Sequence, residues 1–355
     1  MNKFGFIIHP LDLTDFYKKF KWAKKMPDNI IKSVMKHLPP IKVSRITGIQ
    51  SKTGEEVEGY FVACPLTSEQ MISLPEDFVV DKIVKACKKT ESLGVDIIGL
   101  GAFTSVVGDK GITVANRIDT PVTTGNSYTV TTAVKSIKMA TEEMNLNFTK
   151  ERVTVIGATG SIGRTVSMIL AEQTNQIQLV ARGRNKLIKL KDDLKSRYQE
   201  LNVKVTSDVK HAVNNSRIIV SASGASTSLI EPDDLLAGSV VCDVARPRDV
   251  AEKVNSQRDD VLVIEGGVVS VPGNVNFNFD FGYPPGTCYA CMAETIILTL
   301  EEEFTNYTLG PKVYEKKVKE MTKLADKHGF SVASLRGTDK LVPNKKLQEM
   351  KTLVR

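Results

Sequence analysis

Apolar and polar positions along the chain follow two periods, which together predict a mixed α/β fold. Short β-branched or alternating runs at residues 4–9, 41–49 and 95–100 are typical of strands. Apolar residues spaced three and four apart at residues 13–25 and 75–93 predict amphipathic helices, and a further long helix is predicted at 125–144. The first part of the chain, residues 1–148, is therefore expected to form an α/β substrate domain.

The middle of the chain, residues 149–283, repeats one pattern. Apolar runs occur at 153–156, 177–181, 217–223, 239–245 and 261–267, and helical or turn segments separate them. This alternation predicts a doubly wound parallel sheet covered by helices on both faces, that is, a Rossmann domain. Residues 284–355 are expected to form a mainly helical C-terminal segment with a basic tail.

A glycine-rich turn follows the first of these runs. Gly157, Gly160 and Gly163 have the spacing of a dinucleotide site, in which they allow a tight turn, close approach to a pyrophosphate and close helix packing. The candidate cofactor residues of this turn are Gly157, Thr159, Gly160, Ser161, Ile162 and Gly163. Ligands of such sheets bind beyond the carboxyl ends of the strands, so Ser221, Ala222, Gly266 and Gly267 are added.

The end of the second run indicates which nicotinamide cofactor is bound. A site for NADH places Asp or Glu there to hold the ribose 2′-hydroxyl. This chain instead has Arg182 and Arg184, whose guanidinium groups suit a 2′-phosphate, so NADPH is predicted. The alternative is that both arginines are solvated charges at the start of a helix.

Composition limits the class of protein. With 355 residues, the chain is long enough for two or three domains, and no apolar run approaches a membrane span. There is no pattern of a secretory signal, and five cysteines do not suggest a disulfide framework, so a cytoplasmic protein is expected. The net charge of +7 comes with no nucleic-acid motif. Basic clusters at 18–25, 316–319 and 345–346 are either solvated helix faces or docking surfaces for an acidic partner or an anionic membrane.

Cys288 and Cys291 form a Cys-Tyr-Ala-Cys segment at the start of a predicted helix. The other cysteines and the four histidines supply no second ligand pair, so no metal site is expected. A redox pair, two core residues and a single nucleophilic thiolate stay open. A helix N-terminus favours the thiolate of Cys291, and Glu294 lies one turn further on, where it is a candidate for proton transfer or orientation. A thiolate combined with NADPH suits reduction of a thioester.

Several segments, in the same order, resemble the cyanobacterial long-chain acyl-[acyl-carrier-protein] reductases. They are Phe4-Gly-Phe-Ile-Ile-His-Pro, Gly94-Val-Asp-Ile-Ile-Gly-Leu-Gly-Ala-Phe-Thr-Ser, Thr123-Thr-Gly-Asn, Gly157-Ala-Thr-Gly-Ser-Ile-Gly, Val180-Ala-Arg, Gly266-Gly-Val-Val and Tyr289-Ala-Cys-Met-Ala-Glu. The resemblance implies NADPH-dependent reduction of a fatty acyl thioester, carried by acyl carrier protein or coenzyme A, to a fatty aldehyde. It also implies that Cys291 accepts the acyl group.

The resemblance has further implications for substrate and partners. Candidate substrate residues are Phe103, Thr104, Ser105, Thr124 and Asn126. The hydroxyls at 104 and 105 suit a thiohemiacetal oxygen or the arm of the carrier, but local turn bonds are an equal alternative. A poorly soluble aldehyde allows peripheral membrane contact and an aldehyde-consuming partner enzyme. Between Gly266 and Cys291 the chain departs from the family pattern, so acyl length and carrier stay open.

Two other functions stay open. The first is a dehydrogenase of the shikimate, amino-acid or glutamyl-tRNA reductase type, which also places a catalytic domain before a Rossmann domain. Its shikimate form would need a Lys-Asp pair, and Lys110 and Asp119 stand in no convincing motif. The second is a non-catalytic NADPH-binding regulator.

Overall fold

The computed structural model describes residues 1–225, 227–280, 282–335, 337, 342 and 344–352. The chain divides into two compact units, each built from several stretches of sequence. The first unit comprises Met1–Gly125, Ser270–Lys312 and Lys323–Ser331. The second comprises Asn126–Val269, Val313–Thr322 and Val332–Arg355.

Strands and helices alternate through most of the chain. The strands are β1 Lys3–Ile8, β2 Ile41–Gln50, β3 Glu56–Ala63, β4 Ile97–Leu100, β5 Val122–Thr123, β6 Val153–Ile156, β7 Gln176–Val180, β8 Asn202–Thr206, β9 Ile218–Ser221, β10 Val240–Asp243, β11 Leu262–Glu265, β12 Val268–Ser270, β13 Gly273–Asn276, β14 Thr287–Tyr289 and β15 Ser331–Val332. The helices are α1 Leu13–Lys19, α2 Asp28–Met35, α3 Ser68–Ser73, α4 Glu76–Glu91, α5 Ile112–Ala115, α6 Asn126–Glu143, α7 Ser161–Ala171, α8 Arg184–Arg197, α9 Val209–Val213, α10 Lys253–Gln257, α11 Ala290–Leu300, α12 Glu315–His328 and α13 Asn344–Lys351. Three 3₁₀ turns lie at Lys21–Lys25, Ala102–Ser105 and Pro232–Asp234.

The first unit is built on a six-stranded sheet in the order β13-β2-β3-β1-β4-β5. Strands β3, β1, β4 and β5 are parallel, and β2 runs antiparallel to both β3 and β13. Helices α4 and α11 cover opposite faces, since a side chain at Gly5 would meet Thr90 of α4 and one at Gly99 would meet Thr295 of α11. The connections that follow β1, β4 and β5 leave the same carboxyl edge of the sheet.

Residues 11–38 form a small helical layer directly after β1, which we call the helical cap. The sequence pattern predicts one helix over 13–25, but the structure has α1 followed by a 3₁₀ turn, and α2 is an element that the pattern did not predict. The break occurs at Phe20, whose backbone is not helical and whose ring packs on Phe16. The inner face of the cap is an apolar cluster of Leu13, Phe16, Ala23, Ile31 and Met35.

The second unit contains a six-stranded parallel sheet in the order β11-β10-β9-β6-β7-β8. This order reverses between β6 and β9, as in the Rossmann fold, and the predicted α/β fold class is confirmed. The sequence pattern identified five of the six strands. It missed β8 because only Val203 of that edge strand is buried and its neighbours are polar.

The unit boundaries differ from those expected at residues 148 and 283. Helix α6, which the pattern assigned to the substrate domain, packs on α7, β9, β10 and β11 of the second unit. Helix α11, which was expected in a separate C-terminal segment, packs on β1, β3 and β4 of the first unit. Burial decides both placements, because most residues of each helix are buried.

No helix among the described residues is both long and apolar enough to cross a membrane.

A buried histidine attaches the last stretch of the first unit to the rest of that unit. His328 lies between two polar partners: its Nε2 is 2.6 Å from Glu301 Oε1, and its Nδ1 is 2.7 Å from Ser51 Oγ. The backbone carbonyl of His328 also accepts a hydrogen bond from the amide of Lys52. Residues 323–331 are thereby joined to the hairpin between β2 and β3 and to the end of α11.

We expect His328→Ala to lower the free energy of unfolding by about 2–4 kcal/mol, since it removes two buried hydrogen bonds and leaves a cavity. The matched control is His37→Ala, because His37 is exposed and its side chain has no hydrogen bond to a described residue. Urea denaturation of both variants measures the difference. Equal stability of the two variants would contradict this role of His328.

Candidate active site

The glycine-rich turn lies where the strand order of the second unit reverses. Strand β6 ends at Ile156 and α7 begins at Ser161, and the amide of Ala222, just after β9, donates to the carbonyl of Ile156 at 3.0 Å. The carboxyl ends of β6 and β9 are adjacent, and the connections that leave them lead to strands on opposite sides, which is where open α/β sheets bind their ligands.

The turn fits a dinucleotide because its glycines leave no side chains at positions where a Cβ atom would clash with the neighbouring backbone. Gly157 has a φ of +74°, and a Cβ on it would clash with the backbone of Ala222. A Cβ on Gly163 would clash with the carbonyl oxygen of Gly157, so α7 packs closely on the turn. Gly160 is the N-cap residue of α7 and supplies no side-chain hydrogen bond, which leaves the helix N-terminus accessible to a pyrophosphate.

The arginines after β7 lie where a cofactor ribose would be expected. Arg182 is in the turn and Arg184 is the first residue of α8, whose N-cap Gly183 has no side-chain hydrogen bond. Both arginine side chains are exposed, and neither forms an ion pair with any residue of the described part of the chain. Their charges are thus available to a phosphate.

The remaining predicted cofactor residues differ in their surroundings. Ser221 is fully buried and donates its hydroxyl hydrogen to Asp249 Oδ2 at 2.6 Å. Asp249, which the sequence analysis missed, also accepts from the amide and hydroxyl of Ser223. A Cβ on Gly266 would meet Cys242, whereas Gly267 faces open space. Ser221 therefore holds the loop after β10, and its contact with a cofactor stays a prediction.

Cys291 is the second residue of α11 in the first unit and is half-buried. The N-cap of this helix is Tyr289, which has extended backbone and supplies no side-chain hydrogen bond. A thiol in the first turn of a helix is near amides whose dipoles favour the thiolate. Cys291 thus lies in the first turn of a helix, as the sequence predicts, and its role as a nucleophile stays a prediction.

Cys288 has a different setting. It is fully buried in β14, and burial, with Cys291 close by, raises the pKa of its thiol well above the usual value. Its Sγ lies 3.4 Å from the carbonyl oxygen of Tyr289. The two cysteines of the Cys-Tyr-Ala-Cys segment thus differ sharply in exposure.

The Thr-Thr-Gly segment at 123–125, which begins with the last residue of β5, packs directly against Cys291. Gly125 has a φ of +74°, and a Cβ on it would clash with the Cα and Cβ of Cys291. Thr124 is buried and donates both its amide and its hydroxyl to the carbonyl of Thr308. Asn126, the next predicted residue, is buried at the start of α6.

Glu294 is completely buried one turn after Cys291. Its Oε1 accepts hydrogen bonds from the hydroxyls of Thr123, at 2.5 Å, and Thr308, at 2.7 Å. Thr308 was missed because it lies in a polar stretch with no helical or strand period. The carboxyl group joins α11 to β5 and to the segment that contains Thr308.

The loop after β4 is held by local bonds and by His9. Thr104 and Ser105 donate their hydroxyls to the carbonyls of Gly101 and Ala102, each at 2.7 Å, which agrees with the local-turn alternative. The Nδ1 of His9 donates to the carbonyl of Pro10, and its Nε2 accepts from the amide of Phe103. Burial lowers the pKa of His9 to about 4, so this imidazole is neutral at neutral pH. Its Nε2 can therefore accept the hydrogen bond from the backbone amide of Phe103.

Among the described residues, no group of three or more His, Cys, Asp or Glu side chains is arranged to hold a metal ion.

Comparison with known proteins agrees with the cofactor site. The shikimate / quinate 5-dehydrogenase family model matches residues 138–265, all of which lie in the second unit. This match and the strand order identify the second unit as an NAD(P)-binding Rossmann domain, similar to that of the shikimate / quinate dehydrogenases. The predicted nicotinamide cofactor is thereby confirmed.

Two curated relatives cover most of the chain. An aminotransferase, PigE of Serratia sp., is 30% identical over 362 residues, 94% of this chain and 40% of the relative. The chain thus spans about two-fifths of that protein. A long-chain acyl-[acyl-carrier-protein] reductase of Synechococcus elongatus is 26% identical over 310 residues, 84% of this chain and 89% of the relative.

The solved structures that match this chain include two dehydrogenases. L-tryptophan dehydrogenase from Nostoc punctiforme has a TM-score of 0.44 at 14% identity, covering 99% of this chain and 87% of that one. Quinate dehydrogenase from Corynebacterium glutamicum, in complex with NAD, has a TM-score of 0.36 at 12% identity, covering 91% of this chain and 98% of that one.

We expect iodoacetamide, used on the folded protein near neutral pH, to alkylate Cys291 at least about tenfold faster than Cys288, because exposure and thiolate character control reactivity. Peptide mapping by mass spectrometry after timed labelling measures both rates. The urea-unfolded protein is the control, in which both cysteines should react similarly. Similar rates in the folded protein would contradict the difference in their surroundings.

Proposed function

We propose that this protein reduces an acyl thioester to an aldehyde with NADPH and that Cys291 carries the acyl group. The observation that carries the proposal is the position of Cys291, in the first turn of a helix without a side-chain cap, with Gly125 leaving no side chain against it. The similarity to the Synechococcus reductase over most of both chains supports the same activity.

The residues of the first unit suit the acyl-transfer step. The Cys291 thiolate attacks the carbonyl carbon of the thioester, the bond from that carbon to the carrier's sulfur breaks, and the departing thiolate takes up a proton. The amides at the start of α11 favour the thiolate before attack. Glu294 holds α11 in place through Thr123 and Thr308.

The residues of the second unit suit NADPH. The pyrophosphate would lie at the N-terminus of α7 beside Gly157, Thr159 and Gly160, and the 2′-phosphate would pair with Arg182 and Arg184. When bound, NADPH supplies the hydride that brings the acyl group to the aldehyde oxidation level.

The carrier and the fate of the product belong to the same proposal. An acyl group on acyl carrier protein or coenzyme A would suit the excess of positive charge, because both carriers are anionic. Phe103 and the backbone of residues 102–105 would border the acyl group, since this loop leaves the same carboxyl edge as Gly125. A cytoplasmic location and an aldehyde-consuming partner enzyme complete the expected setting.

A second candidate is a dehydrogenase that acts on a polar substrate, as in the shikimate type. The match of residues 138–265 favours it. That match covers the cofactor-binding unit, however, and Cys291 lies outside it. Such a dehydrogenase would turn over its substrate without any covalent adduct.

We expect the protein, incubated with a long-chain acyl thioester and no NADPH, to gain the mass of one acyl group on Cys291. Intact-mass and peptide mass spectrometry measure the adduct, and hydroxylamine should remove it because it is a thioester. Cys291→Ser should form no hydroxylamine-labile adduct. Cys288→Ser is the matched control and should acylate normally.

A hydroxylamine-labile adduct of undiminished yield in Cys291→Ser would contradict the assignment of Cys291. The second candidate would be favoured if the protein oxidised a polar alcohol with NADP⁺ and formed no acyl adduct with acyl thioesters of different chain lengths.

We expect the double substitution Arg182→Ala and Arg184→Ala to raise the Michaelis constant for NADPH by at least about tenfold, because lost bonds to a charged phosphate cost about 1.5–3 kcal/mol. The constant for NADH should change less than about twofold, since NADH has no 2′-phosphate. Steady-state kinetics with both cofactors measure this, with Lys189→Ala on the exposed side of α8 as control. Equal effects on the two cofactors would contradict the assignment.

A further inference from the structure

The helical cap carries large apolar side chains on its outer surface. Leu11 is 45% exposed, Trp22 58%, Ile30 42% and Val34 38%. The cap follows β1 through His9 and Pro10, so it leaves the same carboxyl edge of the sheet as the loop at 101–105. These four side chains therefore lie on the segment that begins next to the candidate acyl site of the first unit.

Single exposed apolar residues are ordinary on a protein surface and need no explanation. The cap is different because four of the thirteen large exposed apolar side chains among the described residues lie within less than a tenth of the chain. They are not needed to hold the cap together, since a separate inner cluster of apolar residues does so. Their exposure therefore indicates that these four side chains contact a binding partner outside the protein.

The charges around Trp22 indicate the nature of that partner. Trp22 lies in the 3₁₀ turn Lys21–Lys25 together with the exposed Lys21, Lys24 and Lys25. None of these three lysines forms an ion pair or side-chain hydrogen bond with a described residue, whereas Lys18 and Lys32 are paired with Asp15 and Glu69. The turn therefore presents a tryptophan among uncompensated positive charges.

We propose that the helical cap binds the surface of an anionic lipid bilayer. Trp22 inserts at the level of the headgroups, where its ring has an apolar body and a polar tip, and the lysines pair with lipid phosphates. The exposed apolar side chains lie on a loop, a 3₁₀ turn and α2. A fluid bilayer adapts to such separate protrusions, whereas a folded protein partner needs a complementary surface of fixed shape.

The reason why this protein would bind a bilayer rests on the proposed function. The proposal that the helical cap binds a bilayer does not. An enzyme that acts on long acyl chains and releases a poorly soluble aldehyde gains from a site beside lipid. Binding to vesicles is measured without substrate or NADPH, so its failure and a failure of the proposed reaction are separate results.

Trp22 is the single tryptophan of the chain and reports on its own environment. The full-length protein is mixed with vesicles of phosphatidylcholine alone or with about 30 mol% phosphatidylglycerol. We expect a blue shift of Trp22 emission, quenching by brominated lipid and co-flotation with the anionic vesicles, all weakened by salt. No co-flotation of the wild-type protein with anionic vesicles would overturn the proposal.

The triple substitution Lys21→Ala, Lys24→Ala and Lys25→Ala should weaken partitioning by about 100-fold, since each lysine near an anionic leaflet strengthens binding roughly fivefold. Trp22→Ala, followed by flotation, should also weaken it. The matched control removes the same charge from α4 with Lys85→Ala, Lys88→Ala and Lys89→Ala, all exposed in the same unit. Circular dichroism and thermal unfolding confirm that each variant folds.

Two further outcomes decide between partners. Equal losses in the cap variant and the α4 control would overturn the proposal, because binding would then follow net charge alone. Binding of acyl carrier protein through Lys21, Lys24 and Lys25, without vesicle binding, would also overturn it and assign the cap to an acidic protein.

Discussion

The first unit depends on a buried carboxyl group. Glu294 has no exposure to solvent, and its Oε1 is satisfied by hydroxyls from two distant parts of the chain, Thr123 and Thr308. Burial of a carboxyl group is costly without such partners, and the loss of one partner leaves a buried oxygen with fewer hydrogen bonds. The position of α11 relative to β5 is therefore fixed by these hydrogen bonds as well as by apolar packing. In this arrangement Glu294 holds α11 against the segment that contains Thr123, and Gly125 of the same segment packs on Cys291.

The sequence predicted local features better than the assembly of the units. The glycine turn at 157–163 was recognisable because each glycine meets a backbone constraint that depends on residues close by in the sheet. Strand β8 and the membership of α6 were not predicted, because each is decided by contacts with other elements of the sheet and its helices. Strand β13 was missed for the same reason, since its pairing with β2 overrides a composition rich in Asn.

The candidate site shows the same division. Cys291 was found from its place at a helix start, and Thr124 and Asn126 from a motif that also contains Gly125, but the contact of Gly125 with Cys291 required the fold. In the network of Glu294, Thr123 and Thr308, Glu294 is separated along the chain from Thr123 by 171 positions and from Thr308 by 14 positions. No periodic pattern connects residues at these separations. His9 was noted within a motif, yet its bond to the amide of Phe103 is visible only once β1 and β4 are neighbours.

The discontinuous first unit has a consequence for the synthesis of the chain. Its sheet begins with residue 3, but α11 emerges from the ribosome only after the whole parallel sheet of the second unit, and His328 follows later still. The unit that contains Cys291 therefore cannot be completed during translation until residue 331 has been made. Until then its incomplete sheet exposes surface that a nascent chain must keep from aggregating, whereas all six strands of the parallel sheet in the second unit have been made by residue 265.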